Sequence, residues 1–415
     1  GIERVKMEIE WAAKNKIKYL FNADSNFGMH KRDEEIAEIL VNTKKEYGFP
    51  EKFRTCFGKN ADERIYEIAK RLHVADMEKG ITLALQSNTP EVLKNIQRQN
   101  IKMSAYQSLQ VKFNEANVPV YSELILGLPG ETKETWKAGI ESLLNAGLKN
   151  QLFIYLCQVF PNTEMWEPEY QKRFGIRTHR IELNEIHGAL RSSDLTTEYE
   201  DIIVTTNAMS LEDWKEMVLF SWLTMIFHSL KIGFFVMLYL VNRHGKTYSD
   251  FIDHVAKAKT PILSYELSEM NCQIKNLLEG HGRGRYVPGY ASIYWDEEEA
   301  SFLRISEKWG AFYDEFLQVV KEYIGVEDEV IEEVMAYQRL RMPAFGEDPK
   351  KWRLFKWNVP EYFDKILTSG PVELKRQQQA MEVRSRQFKD RQQFAKETLM
   401  WGRKSGTIMN VAHYA

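Results

Sequence analysis

A repeated unit of one helix and one short apolar run constrains the fold of this chain most strongly. From residue 1 to about residue 160 each run ends in polar or glycine residues. The runs follow one another at about 30 residues, the length of a strand with its crossover helix. They are residues 18–21, 52–57, 80–85, 119–126 and 151–159. This pattern predicts an α/β fold whose parallel strands form a barrel or an open doubly wound sheet.

The fourth run is the most informative because it stops abruptly in a glycine-rich loop. Its apolar residues, Val120, Leu124, Ile125 and Leu126, predict a strand covered on both faces. Gly127, Pro129 and Gly130 end the strand, and a helix follows to about Ala146. Such a loop lets a ligand approach the backbone closely, and Glu131 adds a carboxylate. An ordinary strand-to-helix turn explains the same residues, so both interpretations stay open.

Polar side chains follow the predicted strands at the points where they end. The carboxyl ends of parallel strands meet at one edge of a sheet, so these side chains should lie on one face. That face is the expected ligand site. The residues are Asn22, Asp24, Asn26, Lys59, Gln86, Ser87, Glu131 and Gln158.

Composition excludes several classes of protein. The formal net charge is −3, whereas nucleic-acid-binding proteins carry an evident basic excess, so we expect no nucleic-acid partner. The cysteines, Cys56, Cys157 and Cys272, lie far apart and form neither a metal-ligand motif nor a disulfide framework. No signal-peptide pattern is visible in residues 1–6. These features predict a cytoplasmic protein in which this chain supplies no metal ligands.

The strand pattern stops after Thr163, and the rest divides by composition. We predict a partial barrel domain at residues 1–165, a polar connector at 166–210, a mostly helical domain at 211–370 and a charged tail at 371–415. Within the tail, residues 373–393 are rich in Arg, Lys and Gln, which predicts a solvated helix or a frayed segment. The run from Trp214 to Val241 is strongly apolar. His228, Lys231 and Gly233 interrupt it, which favours two core helices over a membrane-touching hairpin.

Three motifs, taken together and in order, resemble the radical S-adenosylmethionine (SAM) enzymes. They are Phe21-Asn-Ala-Asp-Ser-Asn-Phe-Gly28, Leu83-Ala-Leu-Gln-Ser87 with Gln97-Arg-Gln-Asn100, and Glu123-Leu-Ile-Leu-Gly-Leu-Pro-Gly-Glu131. The resemblance covers about residues 1–165 and is closest to the subgroup with an N-terminal cobalamin-binding domain. It implies a partial (β/α)6 barrel, without its first strand, followed by a mostly helical C-terminal domain.

The resemblance also implies a set of binding residues. SAM would contact the loop that holds Asn22, Ala23 and Asp24. It would also contact the end of the second motif, at Gln86 and Ser87, and the glycine turn of the third motif. In this family a [4Fe-4S] cluster cleaves SAM reductively to a 5′-deoxyadenosyl radical, and cobalamin serves some members. The implied cofactor-binding residues are Asn22, Ala23, Asp24, Gln86, Ser87, Arg98, Ile125, Gly127, Glu131 and Gln158.

The sequence departs from the family at the cluster. The family binds it through a Cys-x3-Cys-x2-Cys loop after the first strand, and this sequence contains no such triplet. That loop belongs just upstream of the helix in which Gly1 lies, so we expect the cluster ligands, and any cobalamin domain, upstream of this chain. A barrel that has lost its cluster is the other explanation.

Two functional hypotheses therefore stay open. One is a radical SAM enzyme that carries out methyl transfer or hydrogen abstraction on an unknown small molecule and takes electrons from a flavodoxin or ferredoxin. The other is a cluster-free α/β binding module whose helical domain docks on a partner or membrane. The residues considered for substrate contact are Tyr155, Gln158, His187, Arg283 and Arg285.

Overall fold

The computed structural model describes residues 1–58, 63–192, 194–368, 370 and 372–414, which form an α/β protein. The strands are β1 (Tyr19–Phe21), β2 (Lys52–Arg54), β3 (Ile81–Gln86), β4 (Val120–Leu126), β5 (Gln151–Leu156), β6 (Arg177–Glu182), β7 (Tyr199–Thr205), β8 (Lys350–Phe355), β9 (Gln379–Arg384) and β10 (Val411–Tyr414). The helices are α1 (Ile2–Lys14), α2 (Arg32–Tyr47), α3 (Glu63–Val74), α4 (Pro90–Asn95), α5 (Met103–Glu115), α6 (Lys133–Asn145), α7 (Pro168–Phe174), α8 (Leu211–Thr224), α9 (Phe234–His244), α10 (Tyr248–Val255), α11 (Pro261–Leu278), α12 (Glu297–Ser306), α13 (Trp309–Ile324), α14 (Ile331–Arg341), α15 (Val359–Thr368), α16 (Arg391–Ala395) and α17 (Gly402–Ser405).

The first five strands lie in two parallel sheets. β1 pairs with β2, and β3, β4 and β5 pair in that order with β4 in the centre. The Phe53 amide donates to the carbonyl oxygen of Met77 over 2.8 Å, which places β2 beside the chain that enters β3. The predicted parallel strands are therefore confirmed.

β4 is covered on only one face, so the prediction of a strand buried on both faces is wrong. Ser122 and Leu124 point into the core, whereas Tyr121 and Glu123 between them are half-buried. Side chains alternate across a strand, and those on the second face border open space. We call this second side of the β3–β4–β5 sheet the open face. Its residues are Thr82, Ala84, Tyr121, Glu123, Ile125, Phe153 and Tyr155.

The predicted connector at residues 166–210 contains regular structure. β6 and β7 pair in an antiparallel hairpin, and the hairpin continues the sheet beyond β5. The Val159 amide donates to Asp201 and the Ile203 amide to Cys157, at 2.8 and 2.9 Å. The sequence pattern did not predict this hairpin, because many of its residues are polar. Its outward side chains are solvated, and only its inward ones, such as Ile202, are buried.

The apolar run of residues 214–241 forms α8, a π-helical turn (Met225–Ser229) and α9, as predicted for core helices. Its side chains are mostly buried. The Trp136 indole of α6 donates to Ser221 over 3.0 Å, and the Leu152 amide of β5 donates to Ser229 over 3.0 Å. These contacts fix α8 and the π-helical turn against β5.

In the described part of the chain, no single helix has the length and apolarity to cross a membrane. The segments Leu211–Ser229 and Phe234–His244 have that length and apolarity only when they are taken together. The axes of the two segments differ in direction by 94°.

The prediction that residues 373–393 form a solvated helix or fray is wrong, because they contain β9 (Gln379–Arg384). β9 lies between β8 and β10 in an antiparallel sheet. Met381, Val383 and Phe394 are fully buried. In β9 the buried residues Gln379, Met381 and Val383 alternate with Ala380, Glu382 and Arg384, so the high charge content of the segment concealed a strand.

The buried tail gives the first testable prediction. Phe394 lies 5.2 Å from Phe388 and 6.5 Å from Tyr290 between ring centroids. Phe394→Ala should lower the free energy of unfolding by about 3–5 kcal/mol in urea titrations, because it removes a fully buried ring. Arg376→Ala, an exposed position in the same segment, should change it little. Equal effects for the two variants would contradict the packed tail.

Candidate ligand-binding site

A cavity of about 390 Å³ lies between the two parallel sheets and the C-terminal segment. Tyr121 and Tyr155 contribute to it from the open face. We call it the cation-lined cavity, because basic residues from separate parts of the chain border it. Its lining residues are Tyr19, Lys52, Phe53, Arg54, Thr55, Met77, Glu78, Lys79, Gly80, Tyr121, Phe153, Tyr155, Ile186, His187, Asp296, Glu299, Leu399, Met400, Arg403 and Lys404.

A buried ion cluster forms one end of this cavity. Arg403 of α17 donates to Glu298 and Glu299 at 2.8 Å each and to the Gln151 side chain at 3.1 Å. Its side chain is 3% exposed. Burial alone would lower the pKa of this guanidinium, but the carboxylates around it raise the pKa above its ordinary value.

The carboxyl groups around Arg403 have different pKa values because their hydrogen-bond partners and neighbouring charges differ. Burial raises the pKa of Glu299, yet Arg403 and the hydrogen bond from His187 outweigh it and hold that pKa at about 2. The His187 ring lies 2.6 Å from Glu299, and this contact outweighs burial and raises the pKa of His187. Glu298 is different, because burial and the neighbouring Asp296 raise its pKa to about 7. This end therefore holds fixed charges of both signs.

Near the other end of the cavity, burial disfavours the charged form of two carboxyl groups. Burial raises the pKa of Glu78 to about 7, and its Oε2 atom has no hydrogen-bond partner among the described residues. Burial also raises the pKa of Glu123, which lies 3.5 Å from the Tyr155 hydroxyl. Because burial favours their neutral forms, these two carboxyl groups offset little of the positive charge of the nearby lysines.

Ser87 and Glu131, both predicted site residues, are joined in one buried network. The hydroxyls of Ser87, Thr89 and Thr135 donate to the Glu131 carboxylate at 2.7, 2.7 and 2.5 Å. Glu131 is 1% exposed and Ser87 is 2% exposed. The network therefore connects the end of β3 to the start of α6, and it occupies the carboxylate that the sequence analysis assigned to a ligand.

Arg98 and Gln86 lie together at the end of β3. Arg98 donates to the Ala84 carbonyl oxygen at 2.6 Å and to Asn100 at 2.8 Å. Gln86 has a φ of 62°, which is uncommon outside glycine, and the pairing of β3 with β4 shifts register just before it. Arg98 thus supports an irregular backbone turn that presents Gln86.

The remaining predicted residues of β4 and β5 lie near the same sheet edge. Ile125 belongs to the open face opposite Tyr155. Gly127 has a φ of 101°, and a Cβ there would lie 3.3 Å from the Ile203 carbonyl oxygen, so close packing against β7 requires glycine. Gln158 donates to Glu200, which also pairs with Arg283 at 3.3 Å.

Asn22, Ala23 and Asp24 lie apart from these residues. Asn22 and Asp24 line a second cavity of about 660 Å³ between α1, β1 and α2. The Asn22 side chain donates to Thr55 at 3.1 Å, and Asp24 accepts the Asn26 amide at 2.8 Å. Lys59 lies outside the described residues. The binding roles of all these positions stay predictions.

The positions considered for substrate contact are largely held by protein partners. His187 pairs with Glu299 and Arg283 with Glu200, while Arg285 pairs with Glu297 at 3.1 Å. Tyr155 is 40% exposed on the open face and is the most available of them.

Sequence reasoning missed most of the cavity wall. A polar pair in alternation, Tyr121 and Glu123, could have indicated a half-open strand face. Arg403 and Lys404 carried no such signal, because only the fold of the tail brings them to the sheet.

Glu131 provides a prediction about the buried network. Glu131→Ala leaves three hydroxyls without their acceptor and should lower the free energy of unfolding by about 2–4 kcal/mol. The exposed Glu134 in the first turn of α6 is the matched control, and its change to alanine should cost less than about 1 kcal/mol. Denaturant titration of both variants measures this, and a Glu131→Ala protein as stable as Glu134→Ala would refute the network's structural role.

Glu78 provides a prediction about pH. Its folded pKa of about 7 lies above that of an unfolded glutamate, so ionising it destabilises the fold as pH rises from about 4.5 to 7. Glu78→Gln removes this cost. The stability of the variant relative to the parent should rise by about 2 kcal/mol between pH 5 and pH 8. Glu115→Gln, at an exposed position, should show no such trend, and parallel curves for Glu78→Gln would contradict the buried carboxyl.

Comparison with known proteins identifies two close relatives. TokK of Streptomyces tokunonensis, a cobalamin-dependent radical SAM methyltransferase, is 35% identical over 251 residues, which are 60% of this chain and 37% of that protein. The 2-(S-pantetheinyl)-carbapenam-3-carboxylate methyltransferase of Streptantibioticus cattleyicolor is 35% identical over 255 residues, 61% of this chain and 37% of that protein. The chain thus spans little more than a third of either relative. No protein-family model matches it.

Solved structures align over parts of the chain. The radical SAM methyltransferase TsrM from Kitasatospora setae, with cobalamin and a [4Fe-4S] cluster bound, aligns with a TM-score of 0.40 and 15% identity over 67% of this chain and 56% of that chain. Coproporphyrinogen III oxidase from Escherichia coli, a radical SAM enzyme, aligns with a TM-score of 0.30 and 14% identity over 37% and 36%. We base no conclusion on overlaps of this size. By sequence identity, this chain is homologous to part of TokK and to part of the Streptantibioticus methyltransferase.

Proposed function

We propose that this chain is the SAM-binding and substrate-binding part of a cobalamin-dependent radical SAM methyltransferase that acts on a small molecule. The observation that carries the proposal is the 35% identity to TokK over 251 residues. The ordered strand-end motifs of β1, β3 and β4 support it independently, because they were assigned from the residues alone.

The two parallel sheets would be neighbouring parts of one partial (β/α)6 barrel. The hydrogen bond from Phe53 to Met77 supports this arrangement, since it joins β2 to the segment before β3. The open face would then be the inner wall of the barrel. Ala84 of β3 and Glu123 and Ile125 of β4 occupy adjacent strands of that wall, and Gln86 ends the first of these strands.

SAM would bind along the carboxyl ends of these strands. Amide and carboxylate groups suit its ribose hydroxyls and ammonium group, and Gln86, Asn22 and Asp24 supply them. Arg98 would act indirectly by holding the turn that presents Gln86, since it already donates to the Ala84 carbonyl. The Glu131 network would keep the ends of β3 and β4 rigid.

The residues of this chain do not fit the [4Fe-4S] cluster that TsrM carries. Cys56 follows β2, Cys157 follows β5 and Cys272 belongs to α11, and burial raises the pKa of Cys157 to about 12, so it resists becoming a thiolate ligand. Among the described residues no group of three or more His, Cys, Asp or Glu could hold a metal ion. We therefore propose that cluster and cobalamin are held by other parts of the whole protein, which would be cytoplasmic and reduced by a flavodoxin or ferredoxin.

Anaerobic reconstitution with iron and sulfide tests the proposal. This chain and a version extended upstream of Gly1 would be treated in parallel, and we expect about four irons per chain only in the extended protein. With SAM, added cobalamin and a reductant, that protein should then form S-adenosylhomocysteine, as the reduced cobalamin accepts the methyl group, and methionine with 5′-deoxyadenosine by reductive cleavage of SAM, all detected by mass spectrometry. An extended protein that takes up no iron would refute the proposal and favour a cluster-free binding module.

A pair of variants tests the SAM site in the extended, cluster-loaded protein. Gln86→Ala should weaken SAM binding by about tenfold, because it removes one buried polar contact worth about 1.4 kcal/mol. Gln107→Ala, on the exposed face of α5, is the matched control and should bind SAM normally. Equal affinities for both variants would place SAM elsewhere.

A further inference from the structure

We propose that the cation-lined cavity binds a small organic anion, with its phosphate or carboxylate group held by Arg54, Lys79 and Lys404 and its apolar body against the aromatic wall. This proposal stands on the cavity itself and does not depend on methyl transfer. It assigns a ligand site along β2 and at the beginnings of β3 and β4, whereas the proposed SAM residues of β3 and β4 lie at the carboxyl ends of those strands.

The cavity gathers basic groups from three separate parts of the chain. Arg54 ends β2, Lys79 precedes β3 and Lys404 belongs to α17, and all of them border the same space. Within the part of the chain that the structure describes, no carboxylate oxygen lies within 4.0 Å of the side-chain nitrogens of these three residues, although the Lys79 backbone amide donates to Glu78 at 2.8 Å. Lys52 differs, because it pairs with Asp76 at 2.5 Å.

The three basic groups are close enough to repel one another. After burial, the charges of Lys404 and Arg54 are the main causes that lower the pKa of Lys79, to about 8. Burial and then Arg54 likewise lower the pKa of Lys404. Like charges that share one partly desolvated space without an anion destabilise the fold, and a bound anion would reverse that cost.

The nearby acidic groups do not neutralise this end of the cavity. Burial favours the neutral forms of Glu78 and Glu123. Glu299 is matched by Arg403 and His187 at the opposite end. The end bordered by Arg54, Lys79 and Lys404 is therefore net positive.

Aromatic rings hold the ammonium groups and form the wall for an apolar ligand body. Lys404 Nζ lies 5.1 Å from the ring centroid of Tyr121 and 5.5 Å from that of Phe153. Lys79 Nζ lies 2.9 Å from the ring centroid of Trp401. A volume of about 390 Å³ falls in the range of about 300–1,000 Å³ typical of small-molecule sites. A benzene-sized group with one acid group matches this wall.

Calorimetric titration of the full chain at pH 7 tests the site with defined probes. Phenyl phosphate and phenylacetate share an apolar ring and differ in the acid group, while benzyl alcohol lacks an acid. We expect saturable binding of at least one acid and none of the alcohol. Binding of phenyl phosphate alone would identify a phosphate site, and binding of phenylacetate alone a carboxylate site.

Charge variants locate the binding. Lys79→Gln and Lys404→Gln should each lower the affinity for the acid probe by about tenfold, as expected for loss of a charge-assisted hydrogen bond. Lys404→Arg keeps the charge and should retain binding, which separates recognition from folding. Lys102→Gln, at an exposed lysine, is the control. The proposal fails if neither acid binds, if benzyl alcohol binds as well as the acids, or if both glutamine variants bind like the parent.

Discussion

The buried guanidinium of Arg403 is the interaction on which the arrangement of the cavity depends. It joins the C-terminal segment to the first turn of α12 through Glu298 and Glu299, and to β5 through Gln151. Burying a charge is costly, and only a full set of partners offsets the cost. Removing one partner of such a cluster typically destabilises a protein by about 3–5 kcal/mol, so this part of the chain is bound to the sheet by more than surface contacts.

The position of Arg403 determines that of its neighbour. Lys404 follows it in α17 and lies beside Tyr121 and Phe153 of the parallel sheet. The backbone here also lies against the start of β3, since a Cβ on Gly80 would clash with the carbonyl oxygen of Lys404. The tail thus completes a cavity beside β5, whose residue Gln151 lies 252 residues before Arg403 in the chain.

The sequence predicted the parallel strands because their apolar runs and glycine ends are local signals. It also predicted that α8 and α9 are core helices, since Lys231 inside the apolar run argued against a membrane. It failed for β4 and for the tail. Whether Tyr121 faces a core or a cavity depends on what lies opposite, and the basic residues near β9 resemble a solvated segment until β8 and β10 pair with it.

The candidate site was predicted only in part, for a related reason. Ser87 and Glu131 were expected at one sheet edge and do lie together, but hydroxyl groups of the protein occupy the carboxylate. Polar residue types at strand ends indicate a site without showing whether a ligand or the protein itself satisfies them.

The two cavities also clarify how the predicted SAM residues relate to one another. Asn22 and Asp24 border the cavity beside α1, whereas the open face, which includes Ile125, borders the cation-lined cavity through Tyr121, Phe153 and Tyr155. Phe53 lines both. A ligand that contacts all the predicted positions must therefore pass the end of β2, where Asn22 donates to Thr55. That junction between the two parallel sheets decides whether one extended ligand or two separate ligands occupy this side of the protein.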